Sequence, residues 1–200
     1  MRVNQTITCK DFPCKDVRHE CFTIPGIDID PRQITIMMIA ECASQQTQDD
    51  FYAGEAALFA QTTLLAFQDA GVPVSSIQDI LARGIYLTTA VKCAKTAYGI
   101  ENATVQACSH LLEQEIALFP NIKAYLLMGD VAIKAVNSIA KRNREARPVP
   151  AGSTYKIRGG EFRFRGARVF PSYLQAGPSF GIEKSKRKMI AEDIRAALQL

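Results

Sequence analysis

A chain of 200 residues, 48% apolar and 22% charged, suits one compact domain, of a size that buries about 70% of the surface it exposes when unfolded. No apolar run approaches the roughly 20 residues that span a bilayer, and Met1-Arg2-Val3-Asn4-Gln5-Thr6 lacks the hydrophobic stretch of a secretory leader, so the sequence reads as cytoplasmic with no membrane partner. The net charge of +4 is uneven: nine basic and two acidic residues fall between Lys141 and Arg168, which fits either a polyanion contact or a solvated basic hairpin.

In chain order, residues 1–30 form a segment bearing Cys9, Cys14 and Cys21 whose poor apolar periodicity predicts anchoring through its cysteines. The β-branched run Ile34-Thr35-Ile36-Met37-Met38-Ile39, bounded by Pro31 and Glu41, reads as a buried strand. From Phe51 to Ala70 apolar residues recur at helical spacing until Gly71 and Pro73 end the pattern. Ile85 to Thr88 predicts a second strand, Thr104 to Phe119 a helix capped at its Thr-Val-Gln-Ala opening, and Ala124 to Met128 a third strand. A helix follows Gly129 until Pro148 and Pro150. Alternation in Tyr155-Lys156-Ile157-Arg158 and Phe162-Arg163-Phe164-Arg165 predicts a hairpin about Gly159-Gly160; Arg168-Val169-Phe170 resumes an extended strand, and Glu183 to Leu200 forms an amphipathic helix.

Strands alternating with helices predict a single domain over residues 1–200 of class α/β. Its form is a three-layer α/β/α sandwich on a central, mainly parallel four-stranded sheet, with the ligand site beyond the carboxyl ends of the strands. Those ends carry Ala40-Glu41-Cys42-Ala43-Ser44, Thr88-Thr89 with Lys92-Cys93, Gly129-Asp130, and Pro171-Ser172-Tyr173-Leu174-Gln175. Six cysteines in a reducing compartment argue against disulfides. Cys9, Cys14, Cys93 and Cys108 make a four-thiolate set for a [4Fe-4S] cluster or zinc, which spacing alone does not separate.

The order of these motifs resembles the uracil-DNA glycosylase superfamily, in particular its iron-sulfur, family four-like branch, from the N-terminal cysteines to the C-terminal helix. Tyr86-Leu87-Thr88-Thr89-Ala90-Val91-Lys92-Cys93 is similar to the family's Tyr-Ile-Thr-Asn-x-x-Lys-Cys segment, with Cys108 at the position of the next cluster cysteine. Ala40 to Ser44 resembles the Gly-Glu-Ala-Pro-Gly loop through Glu41, Met128-Gly129 the Leu-Gly turn, and Phe170 to Gln175 the closing Phe-Pro-Thr-Tyr-His-Pro motif.

The resemblance implies a monomeric DNA-repair glycosylase that extrudes uracil or another deaminated base from DNA and hydrolyses its N-glycosidic bond, with Glu41 positioning or activating water. It places base contacts at Cys42, Phe51, Tyr52, Thr89, Ser172 and Leu174, one of the two aromatics stacking on the base; Cys42, Phe51 and Tyr52 equally suit packing roles. DNA contacts fall on Lys92, Arg163, Arg165, Gln175, Lys184 and Lys186, and Asp130 serves either the site or a helix cap. The cysteine set then favours a [4Fe-4S] cluster over zinc, with Cys21 an alternative to Cys9 or Cys14. Two departures bear on chemistry: the family's uracil-reading asparagine falls on Thr89 and its motif histidine on Leu174. They predict weak action on uracil, and they support the alternative of an iron-sulfur nucleic-acid-binding protein that keeps the fold without the reaction.

Overall fold

The computed structural model describes residues 1–200. In chain order its elements are β1 (Val17–Arg18), β2 (Ile36–Cys42), α1 (Leu58–Asp69), α2 (Ile77–Ala82), β3 (Ile85–Val91), β4 (Ala94–Lys95), α3 (Asn102–Ala117), β5 (Ala124–Met128), α4 (Asp130–Arg142), α5 (Thr154–Ile157), β6 (Phe162–Phe164), β7 (Ala167–Ser172) and α6 (Lys184–Ala197). The main sheet runs β3-β2-β5-β7-β6, parallel throughout except for β6, which pairs antiparallel with β7. Both faces are covered, which is why the central strands read as continuous apolar runs. Met37, Ile39, Tyr86, Tyr125 and Leu127 pack under α3 and α4, while Ile36, Met38, Leu87, Leu126 and Phe170 pack under α1, α2 and α6.

The α/β/α sandwich is the expected one, with a fifth strand added. The hairpin that supplies it turns at Arg165-Gly166 (φ +49° and +84°), not at Gly159-Gly160; two successive left-handed residues match the strand twist, as a two-residue turn requires. Tyr155 to Ile157 accordingly belong to the helical turn α5, because their alternation continues into no partner strand. The helix read from Phe51 begins only at Leu58, so Phe51 and Tyr52 lie in the preceding loop, and α2, with a Ser76/Asp79 capping box, was too short to stand out by periodicity.

Residues 1–30 do not depend on cysteines alone for anchoring. Val3 and Ile7 are fully buried, Arg2 bridges Asp28, and β1 pairs with β4. Asp16 from this segment accepts the Glu101 N–H at 2.6 Å and the Thr104 hydroxyl, capping α3 from outside; α3 has no side-chain cap of its own. No helix is long and apolar enough to cross a membrane.

Candidate active site

From β2 the chain crosses to β3 on one side and later to β5 on the other, so the strand order reverses between β2 and β5. In open parallel sheets the crevice at such a point is where ligands bind. A cleft of about 610 Å³ opens there, with Glu41 from the end of β2, Gly129 and Asp130 from the end of β5, and Tyr173 and Leu174 from beyond β7. Ser153, Thr154 and Tyr155 form one wall, and Phe180, Ile182, Glu183 and Lys186 another.

Glu41 lies at the N-terminus of α4, where its carboxylate faces the backbone N–H groups of Asp130 and Val131. Burial pushes its pKa up, the Asp130 charge adds to this, and Lys95 and the two N–H groups pull the other way. The net rise makes this carboxylate a stronger proton acceptor than a free one. Gly129 makes the arrangement possible: it adopts φ +104°, and a Cβ there would stand 2.5 Å from Glu41 Oε1. Asp130 is the first residue of α4 and caps nothing. The cleft rim is aromatic and apolar. Tyr98, Tyr155 and Ile182, exposed by 99%, 73% and 77%, are half of the exposed large apolar side chains of the chain, and all three surround this opening. Lys186 sits 5.4 Å from the Tyr173 ring and bonds Glu183 at 2.7 Å.

Of the residues singled out from sequence, Glu41, Leu174 and Lys186 line the cleft. Several others do not. Phe51 is buried, and the Tyr52 hydroxyl donates to Leu87 O at 3.0 Å and accepts Leu87 N–H at 2.9 Å. Tyr52 thereby satisfies the free edge of β3, so both aromatics serve packing and edge capping and neither faces the cleft. Thr89 is buried, and the Cys42 thiol lies against the backbone of Lys95. Ser172 is buried with its hydroxyl on Asp193 at 2.6 Å, and Asp193 is held in turn by Arg158. Gln175 is fully buried against the Met38 sulfur and does not line the cleft.

Lys92 is corrected in the same way. It is 0% exposed, paired with the equally buried Glu115, and donates to Thr88 Oγ1 at 2.8 Å and Thr89 O at 2.6 Å. Arg163 and Arg165 flank the turn before β7, at the amino ends of the strands and the far side of the molecule from the cleft. Arg165 is bound by Glu113 and Glu145 besides. Lys184 faces a separate shallow basic hollow with Arg187 and Lys188. Tyr98 and Ile182 sit in loops without periodic signal, and the alternation at Tyr155 points to a strand where the chain forms the short helix α5, so only exposure in the folded chain marks the three.

Cys9, Cys14, Cys93 and Cys108 share one neighbourhood. Burial and the surrounding thiols push Cys93 up to about 12 and Cys108 to about 11, and Cys14 is raised by burial first and by Cys9. Cys21 also contributes at Cys93. As they stand, no three of these side chains close into a group that could hold a metal ion. His19 bonds Cys14 O at 2.8 Å, and His110 lies on the α3/α4 surface, so neither histidine reaches the cleft.

An open α/β sheet with a carboxylate and an aromatic-rimmed cleft at its switch point is the layout of a ligand-binding α/β protein. The model of the uracil DNA glycosylase superfamily matches residues 29–195, and the chain belongs to that superfamily. Over 122 residues it is 27% identical to the Type-5 uracil-DNA glycosylase of Thermus thermophilus, a match that covers 61% of this chain and 53% of that protein. The chain thus spans about half the length of that curated relative.

Proposed function

We propose that this protein is a DNA glycosylase that extrudes a deaminated base into the Glu41 cleft and hydrolyses its N-glycosidic bond. The observation that carries the reading is the concentration of Tyr98, Tyr155 and Ile182 around the one cleft with Glu41 inside it. The tyrosines offer faces for an unstacked base, and Ile182 has the exposed apolar character of a wedge that fills the gap left in a duplex. Glu41 orients water toward the sugar C1′ and takes its proton as the new C–O bond forms, while the C–N bond breaks and its electron pair leaves with the base. Leu174 offers no hydrogen bond to that leaving base, and loss of one such donor costs about 10²–10³ in rate.

Duplex and single-stranded oligonucleotides carrying uracil, hypoxanthine or xanthine, incubated with excess protein and then cleaved at abasic sites, test the reading. Base release abolished by Glu41→Gln supports it. No release from any of them, with DNA binding intact, favours instead a binding protein that has lost the reaction, a reading for which Leu174 is the specific observation.

The four thiols Cys9, Cys14, Cys93 and Cys108 fit a [4Fe-4S] cluster in donor type and neighbourhood, and on this reading the chain is placed in the iron-sulfur branch. When bound, the cluster supplies a cross-link between the N-terminal segment, the exit of β3 and α3. Iron and sulfide at about four each per chain, with broad visible absorption, is the expected result; stoichiometric zinc from anaerobic purification overturns it.

A further inference from the structure

Two carboxylates of the α3/α4 face are already engaged. Glu113 binds Arg142 and Arg165, and Glu145 binds Arg165. Consumption of these carboxylates by an inner set of arginines leaves an outer set of cations with none. Lys134, Lys141, Arg144 and Arg147 are exposed, pair with no carboxylate, and line a groove of about 470 Å³ together with neutral Asn102 and Asn137 and with Glu145, whose charge is taken up by Arg165.

Two features set this groove apart from a merely solvated surface. Arg144 holds a left-handed backbone, φ +58°, at the position after the α4 C-cap where glycine or asparagine is cheaper. Cations in the last helical turn also complement the helix dipole, but Lys134 lies two turns earlier and Arg147 beyond the helix, so that effect does not account for the set. The groove also adjoins the cleft: Lys134 follows the cleft-lining Asp130 by one helical turn, about 6 Å along α4.

We propose that the α3/α4 groove is a second nucleic-acid contact, in which Lys134, Lys141, Arg144 and Arg147 hold the phosphodiester backbone of DNA outside the Glu41 cleft. A linear row of unpaired cations leading away from the cleft matches a chain of regularly spaced phosphates, and neutral amides between them suit bridging oxygens. The inference rests on the DNA-directed reading for the identity of the polyanion. Its readout is undamaged duplex, so failure of base release and failure of the groove are told apart.

The test compares wild type with the Lys134→Gln/Lys141→Gln/Arg144→Gln/Arg147→Gln variant by fluorescence anisotropy on undamaged duplex across a salt series. A charge-matched variant, Lys10→Gln/Arg32→Gln/Arg83→Gln/Lys123→Gln, removes four exposed cations elsewhere. Four phosphate contacts predict a salt dependence shallower by about 3.6 in log–log slope for the groove variant, or about 100-fold less affinity lost between roughly 50 and 200 mM salt. Arg147 also donates to Val149 O at 2.8 Å, so a triple variant that retains it guards against misfolding and should lose about 2.7 of the slope. Unchanged slopes in the groove variants, or an equal loss in the charge-matched one, overturn the proposal.

Discussion

Gly129→Ala tests whether Glu41 works from its seat on the α4 N-terminus. Gly129 sits at φ +104° and ψ 167°, a region essentially reserved for glycine, and alanine there costs about 1–3 kcal/mol. The added methyl would lie 2.5 Å from Glu41 Oε1, 2.8 Å from Cγ and 2.9 Å from Cδ, where ordinary contact begins at 3.4 Å. The carboxylate must therefore retreat by about 1 Å, away from the Asp130 and Val131 N–H groups that it faces. Misplacing a reacting group by about 1 Å costs on the order of 10² in rate. Single-turnover base release at saturating enzyme, read beside a thermal melt, gives both quantities. The expected result is a melting point lower by about 2–4 °C per kcal/mol and a rate that approaches that of Glu41→Gln. A variant that melts lower yet releases base at the wild-type rate would refute the reasoning, because it would separate the carboxylate's position from the chemistry.

Leu174→His places a hydrogen-bond donor on the cleft wall beside the leaving base and should raise the rate of base release by about 10², with Glu41→Gln in the same background abolishing the gain; an unchanged rate in a folded variant argues that the base lies elsewhere. Burial raises the Asp50 pKa to about 6, so its contribution to stability is present below about pH 4 and lost as pH rises through 6. Asp50→Asn, which carries no charge to desolvate, should therefore gain up to about 3 kcal/mol on wild type between pH 4 and 7 in denaturant unfolding. A pH-independent difference would contradict the assignment. Lys92→Met strands the Glu115 carboxylate, which keeps only the hydroxyls of Tyr86 at 2.6 Å and Thr88 at 2.9 Å, and should destabilise by about 3–5 kcal/mol. Adding Glu115→Gln should recover most of that loss, and equal instability of the single and double variants would rule out the stranded charge as the cause.

The sequence by itself determined the layered α/β/α fold, because strands buried on both faces and helices buried on one leave different apolar periods in the chain. It also pointed to Glu41, through the resemblance of its loop to a family motif, and the folded chain puts that carboxylate in the cleft. What it could not resolve was direction and depth. Lys92, Gln175 and Ser172 carry polar groups next to strand ends and so read as ligand contacts, yet each turns inward, Lys92 and Ser172 onto the carboxylates of Glu115 and Asp193 and Gln175 against the Met38 sulfur. Arg163 and Arg165 belong to a basic run, but a turn at Arg165-Gly166 sends them to the opposite end of the sheet. Tyr98, Tyr155 and Ile182 come from three separate segments and converge on one cleft only after folding. Local pattern records which face of an element is apolar; which polar groups meet, and where unpaired cations are left over, is settled by contacts between segments far apart in the chain.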